Sequence, residues 1–403
     1  MRVAFLLNDL QLSGGVGVVV QHARRLSLLQ GWDVTLVMVR EQDDGGWQGY
    51  EDLASLQVRS RTEALDEHYD IAVATWWETT FTLFEMSAER YAYFVQSLED
   101  RFYDHDKAER LGASITLDLP VAFITEARWI VETLSSLRPD ARCYLVRNGV
   151  DKSVFAVPES VEPSLDAPLR ILVEGSARVW HKQVPEAISA VSAMREPHHL
   201  TVVSGDPESL AGVAADRVVG PVDHAGMAEL YREVDVVVKL SRVEGMSGPP
   251  LEGFHCGATC VVTPVTGHEE YVEHGFNGLI TDWDDPMGTA RLLDLLARDR
   301  SLLHFVRSNA IETARAWPDW EQSSQFMTTA LLTIAREPQP DAVAPSAHLL
   351  ADLRAGIDAY SRHLEAVRWQ PVAHWLLGLR RYRIVRVLSR PLRPLIRRYR
   401  QRH

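Results

Sequence analysis

Short apolar runs alternate with stretches of helical period along most of the chain. VAFLL (3–7), VTLVMV (34–39), IAVAT (71–75) and YAYFV (91–95) are continuous in apolar character, as parallel strands covered on both faces are. Between the first two lies VGVVVQHARRLSLLQGW, whose apolar positions recur at helical spacing and stop near Gly31. Strand, glycine turn, helix and strand make a βαβ unit, and its repetition predicts a doubly wound sheet. VPESVEPSLDAP (157–168) breaks the pattern with prolines, serines and acids and reads as a linker. RILVEG (170–175), LTVVSG (200–205), DRVVG (216–220), VDVVVKL (234–240) and TCVVTP (259–264) then restart it. The expected fold is therefore α/β, with two Rossmann-like doubly wound parallel-sheet domains at 1–156 and 169–337. A helix pattern at 317–337 is expected to close the second. PQPDAVAPSA (338–347) reads as a loop setting off a helical, arginine-rich tail at 348–403.

Composition narrows the function classes. At 403 residues, with 46% hydrophobic and 24% charged positions, the chain suits two globular domains with separate cores. Cys143, Cys256 and Cys260 form no C-x-x-C pair and have no metal-ligand spacing with nearby histidines, so neither a disulfide framework nor a metal site is expected. His105, His255 and His268 read as structural or surface histidines. Met1-Arg2 running straight into VAFLL leaves no signal-peptide core, and no apolar run is long enough to span a bilayer. A cytoplasmic location is expected. The net charge of −13 hides an asymmetry: no acidic residue follows Glu365, whereas 11 arginines do, leaving −24 on residues 1–365. An acidic body with a basic tail speaks against a nucleic-acid partner and for one localised anionic surface.

The richest stretch for chemistry is EGMSGPPLEGFHCGATCVV (244–262), directly after a predicted buried strand. Pro249 and Pro250 suit a first helical turn, which puts Glu244 in the strand-to-helix loop and Glu252 in the helix. Such a helix start presents unpaired N–H groups and a positive dipole end to a phosphate. Gly245, Ser247 and Gly248 let the backbone approach that ligand, with Met246 between them. Carboxylates accept paired hydroxyls, so Glu252 suits a ribose diol and Glu244 the hydroxyls of a sugar. The opposing view makes both glutamates solvated surface charges, but open α/β sheets bind ligands at the carboxyl ends of their strands.

Glu244 and Glu252, followed by Thr266-Gly267-His268-Glu269-Glu270 and Gly275-Phe276-Asn277-Gly278, resemble the donor-site signature of retaining family 4 glycosyltransferases. Gly14-Gly15-Val16-Gly17 and Asn148-Gly149-Val150-Asp151 extend the likeness. YFVQSLEDRFY (93–103) is similar to bacterial rhamnosyltransferases of that family. The resemblance implies a GT-B fold, a nucleotide-diphosphate sugar as donor, retention of anomeric configuration, and neither metal nor cofactor. Family members also bring an arginine and a lysine to the diphosphate from the loop after the second domain's first strand. In EGSARVWHKQ (174–183) Lys182 matches the lysine, while Ser176 follows Gly175 where the arginine is expected and Arg178 is its nearby substitute. Lys182, Arg178 and Glu244 are thus the expected catalytic groups. Gly14, Gly15, Gly175, Lys182, Gly245, Met246, Ser247, Gly248 and Glu252 join Glu244 around the donor. Lys239, ending an otherwise apolar strand, is a further cation candidate.

In the first domain, Gln96 and Glu99 stand where many members of that family place a histidine. Trp76, Trp77 and Glu78 follow IAVAT and, with Gln96 and Glu99, are expected to line an acceptor or sugar pocket, packed interior tryptophans being the competing explanation. The spacing at Gly14-Gly15 is not G-x-G-x-x-G, which speaks against a dehydrogenase. Within HWLLGLRRYRIVRVLSRPLRPLIRRYRQRH (374–403) apolar positions through Leu388 recur at helical spacing among arginines. That describes an interfacial helix on an anionic membrane, a disordered basic tail or an oligomer contact being the alternatives. The expected protein is a peripheral enzyme at the inner face of the membrane, moving a sugar such as rhamnose from its deoxythymidine diphosphate to a cell-surface glycan or lipid-linked acceptor. A nucleotide-sugar epimerase and an inactive glycan-assembly scaffold are the alternatives.

Overall fold

Apolar runs become strands because backbone buried on both faces must satisfy its N–H and C=O groups through neighbouring strands. The computed structural model, which describes residues 1–11, 13–40, 53, 56–161 and 167–379, arranges them in two all-parallel sheets. The first contains β1 (Arg2–Leu7), β2 (Asp33–Met38), β3 (Gln57–Ser60), β4 (His68–Ala74), β5 (Ser87–Val95), β6 (Ala122–Thr125) and β7 (Cys143–Leu145), in the order β3-β2-β1-β4-β5-β6-β7. The second contains β8 (Leu169–Glu174), β9 (His198–Val203), β10 (Arg217–Val219), β11 (Val236–Lys239), β12 (Thr259–Val262) and β13 (Leu279–Ile280), in the order β10-β9-β8-β11-β12-β13. Phe5 pairs with Leu36 on one side and Val73 on the other, and Val238 with Val173 and Val261. In each sheet the winding reverses beside the first strand, between β1 and β4 and between β8 and β11. Such a reversal opens a crevice at the carboxyl ends of the strands.

The first helix, Gly14–Gln30, starts where the Ser13 hydroxyl accepts from the Val16 N–H at 3.3 Å and stops at Gly31, whose φ of 64° is left-handed. The strands that the apolar pattern did not reveal are β3, β6, β7 and β13. β3 is a mostly exposed edge of Gln, Val, Arg and Ser, and the others are at most 4 residues long.

The chain crosses between domains twice, and the second crossing corrects two expectations. The helix Trp320–Arg336 does not close the second domain. Its apolar stripe of Met327, Ala330, Leu331 and Ile334 enters the first domain's core beside Val19, Val20 and Ala23. The crossings lie side by side: Trp317 Nε1 donates to the Asn148 carbonyl at 2.9 Å, and a Cβ on Gly149 would come within 2.5 Å of the Asp319 backbone. The expected loop at 338–347 turns helical at Val343 and continues to Leu379. It does so because Leu350 and Ile357 find an apolar seat on the first domain, Leu350 being buried and Ile357 meeting Gly112, while Arg354 lies over the Phe81 ring. Residues 162–166 of the expected linker and 380–403 of the expected membrane tail lie outside the described residues, and 374–379 belong to the long helix. Among the described residues no helix is long and apolar enough to cross a membrane.

Candidate active site

At the second sheet's switch point, two lysines each meet a carboxylate, Lys182 with Glu244 and Lys239 with Glu174. β11 ends at Lys239, and the loop beyond it carries Glu244 to the helix Gly248–His255, whose first turn holds Pro249 and Pro250. Opposite, the turn Trp180–Lys182 after β8 aims Lys182 at Glu244, with Nζ 2.9 Å from Oε1 and 3.0 Å from Oε2. Glu244 is buried. Burial alone would raise its pKa, but the charges of Lys182 and then Lys239 prevail and hold it down at about 2. Lys239 is only 3% exposed, and its Nζ donates to Glu174 Oε2 at 2.8 Å and to the Glu174 carbonyl at 3.2 Å. Burial opposes its charge, yet Glu174 and Glu244 together keep the ammonium above its ordinary pKa. Gly175, with φ of 139°, turns the chain there: a Cβ would lie 3.6 Å from Lys182 Cβ and 3.7 Å from Lys239 Nζ.

Arg178 does not join this group. Its side chain is 70% exposed and pairs with Asp206 at 3.2 Å, on the solvent side of the loop. The cation beside Lys182 is instead Lys239, which reaches the place from the adjacent strand. Glu252 is half-buried one turn into the helix, and burial, then the Glu174 charge, lifts its carboxyl to about 7. Its Oε1 would lie 3.6 Å from a Cβ on Gly248, so the carboxyl reaches back to the helix start. Ser247, the residue before that helix, is buried, and its carbonyl accepts from Tyr271 Oη at 2.6 Å.

The first domain grips the Glu244 loop. Gly245 lies so close to the Gln96 carbonyl that a Cβ would come within 1.7 Å of it, and its own carbonyl accepts from Trp129 Nε1 at 2.7 Å. The Met246 N–H donates to Glu126, and its side chain packs in the cores of both domains. Glu126 also accepts from Asn148 Nδ2 at 2.6 Å; burial pushes its carboxyl up to about 8 against these donors. Arg101 Nη1 donates to Thr266 Oγ1 at 2.7 Å, and Arg147 pairs with Glu270 at 3.2 Å. Trp129 and Glu126 escaped the sequence reading. Their one signal is position, just past the short strand β6.

Gly14 and Gly15 open the first helix at the carboxyl end of β1, and Gln96 Nε2 donates to the Gly15 carbonyl at 3.2 Å. Trp76 is half-buried and Glu78 half-exposed, Glu78 accepting from Asn8 Nδ2 at 2.6 Å. Trp77 and Glu99 are interior groups, buried in the first domain. Trp77 is 4% exposed, with Nε1 donating to Tyr103 Oη at 3.0 Å. Glu99 is buried beneath it, accepting from the Trp77 N–H at 2.5 Å and from Tyr93 Oη at 2.9 Å, and burial holds its carboxyl well above the carboxylate range. Beyond the end of β4 at Ala74, Trp76 is still extended while Trp77 opens a tight 3-10 turn (Trp77–Thr79), so these neighbours in sequence part ways. Among the described residues no cluster of histidine, cysteine and acidic side chains is placed to hold a metal ion.

Two sheets of this kind, joined by a double crossing and closed over a charged site at their switch points, define the GT-B class. The shape is shared with sucrose-phosphate synthase from Thermosynechococcus elongatus, with a TM-score of 0.67 at 16% identity over 83% of this chain and 98% of that one. HepE from Anabaena in complex with UDP and glucose matches with a TM-score of 0.66 at 15% identity, over 83% of this chain and all (100%) of that one. Residues 168–299 match the family model for glycosyl transferases group 1, so the second domain is a group 1 glycosyl transferase domain, in line with the expected resemblance to family 4. In sequence the chain is similar to D-inositol 3-phosphate glycosyltransferase of Thermobispora bispora, 26% identical over 235 residues, 52% of each chain. The chain spans only about a third to a half of the first such relatives, 30%, 52% and 50% of their lengths.

Proposed function

We propose that the protein is a glycosyltransferase that takes a sugar from a nucleoside diphosphate and passes it to a glycan or lipid-linked acceptor. The observation that carries this reading is the Lys182–Glu244 pair, backed by Lys239, at the switch point of the second sheet, on a loop held by the first domain's Gln96 and Trp129. Two ammonium groups beside a helix start suit a diphosphate. Glu252 suits the ribose diol, and Glu244, held ionised, suits sugar hydroxyls.

In the transfer, the bond between the anomeric carbon and the diphosphate oxygen breaks as the acceptor oxygen bonds that carbon from the same face. The acceptor proton passes to the departing phosphate, which retains the configuration. Lys182 and Lys239 absorb the charge that develops on the leaving group, a task a metal performs in other designs. No side chain is assigned as nucleophile. The donor is a deoxythymidine-diphosphate deoxysugar such as rhamnose, following the likeness of residues 93–103. The arginine-rich segment after Glu365 docks the enzyme on an anionic membrane, at about 1 kcal/mol per arginine near the surface.

Nucleotide release with UDP-glucose, dTDP-rhamnose and an acceptor extract tests the reading. Release with dTDP-rhamnose, lost in Glu244→Ala and Lys182→Ala, supports it, and turnover with UDP-glucose alone removes the rhamnose part. Product formed without acceptor would make the protein an epimerase. Glycan output unchanged in both variants would make it a scaffold. For the tail, truncation after residue 373 should abolish cosedimentation with phosphatidylserine vesicles.

A further inference from the structure

Four aromatic rings run in a line from one domain to the other across the cleft. Trp76, just past β4, stacks on Phe102 with centroids 5.9 Å and planes 27° apart. Phe102 meets His181 of the second domain at 5.1 Å. His181 meets Trp180 edge-on at 5.6 Å, and Trp180 Nε1 donates to the Phe102 carbonyl at 3.4 Å. His181 directly precedes Lys182, whose Nζ meets Glu244, in the turn Trp180–Lys182. At the other end of the line Glu78 and Asn8 present a carboxylate and an amide.

Exposure separates a binding surface from mere glue. An indole that served only to join the domains would bury its ring, as Trp129 does at 8% exposed. Trp180 is 49% exposed while its neighbours in the line are half-buried. The chain thus holds a large apolar ring by its N–H, with much of its surface left to solvent, two residues before Lys182. Aromatic faces of this kind accept the C–H face of a pyranose, whose hydroxyls then reach polar groups at the rim.

We propose that the exposed ring of Trp180, propped on the first domain through Phe102 with Trp76 stacked behind it, is a platform for the sugar ring of the acceptor, so that the donor-binding domain supplies part of the acceptor site. This rests on the glycosyltransferase reading given above and adds the acceptor class: a glycan presenting a pyranose. Because the platform draws on both domains, it is complete only when they are closed on each other. An acceptor that binds it therefore favours the closed form in which Lys182 and Glu244 meet the first domain.

The test is saturation-transfer NMR with methyl α-rhamnoside, methyl α-glucoside and methyl α-galactoside on the full chain, with UDP calorimetry in parallel. Wild type should transfer saturation to the ring C–H protons of at least one glycoside. Trp180→Ala should cut that signal by about fivefold or more, and Trp180→Phe should keep most of it, since a ring face rather than the N–H does the binding. UDP affinity should stay within about twofold in both variants, because a surface ring away from the phosphates contributes little to it. Equal signals in wild type and Trp180→Ala, or no signal from any glycoside with wild type, would overturn the proposal. So would a parallel loss of UDP binding, which would make Trp180 a mere support for the Lys182 turn. If wild type binds a glycoside yet releases nucleotide from no donor, the transferase reading fails and the sugar platform stands.

Discussion

Trp129 of the first domain donates its indole N–H to the carbonyl of Gly245 in the second, at 2.7 Å across the cleft. Gly245 is the neighbour of Glu244, so this one bond ties the position of the carboxylate proposed for the donor to the packing of the two domains. Trp129→Phe keeps most of the ring and strands the carbonyl, a change of about 1–3 kcal/mol or roughly fivefold to a hundredfold in the closed population. The rate of transfer should fall by that factor while UDP affinity, measured by calorimetry, holds. Gly245→Ala should be harsher, because its Cβ would come within 1.7 Å of the Gln96 carbonyl.

Lys239 and Arg178 compete for one role, and substitution separates them. Lys239→Met removes a buried ammonium beside Gly175, and the affinity for UDP should drop by about tenfold or more, as for a charge-assisted contact. Arg178→Ala removes an exposed partner of Asp206 and should change affinity by about twofold at most. Weakening by Arg178→Ala alone would return the role to Arg178.

Glu126 gives the fold a pH signature of definite sign. Its folded pKa of about 8 lies above the ordinary carboxylate value of 4.5, so the folded state holds a proton that the unfolded state has lost. Its effect is nil below the unfolded value, and stability falls as pH rises from there toward 8, by at most about 1.4 kcal/mol per pH unit. Glu126→Gln keeps the group neutral. The variant's melting temperature should gain on wild type steadily between pH 5 and 8, and a constant difference would contradict this account.

Leu331 tests which domain owns the helix Trp320–Arg336. Leu331→Ala opens a cavity in the first domain's core, a loss of about 2–5 kcal/mol. Hydrogen exchange should quicken in Gly14–Gln30 and leave β8, β11 and β12 unchanged.

The local pattern of the chain determined a good deal. Continuous valine and isoleucine runs can satisfy their backbone only in a covered parallel sheet, so the central strands of both domains and their glycine turns were legible. Glu244, Glu252 and the prolines between them were legible as a helix start at a strand end, because that chemistry is local. What lay beyond reach depends on contacts between distant segments. An amphipathic helix at 317–337 shows that it has an apolar stripe, not which domain receives it, and the stripe goes to the first. Trp76 and Trp77 look alike in sequence, yet the first stays extended and half-buried while the second opens a tight turn and enters the core. Arg178 and Lys239 offer the same charge, and only the packing of β11 against β8 decides that the strand lysine stands beside Lys182 while the loop arginine turns to Asp206. The grip of Trp129 and Glu126 on the Glu244 loop joins residues more than a hundred positions apart, and tertiary structure alone brings them within hydrogen-bonding distance.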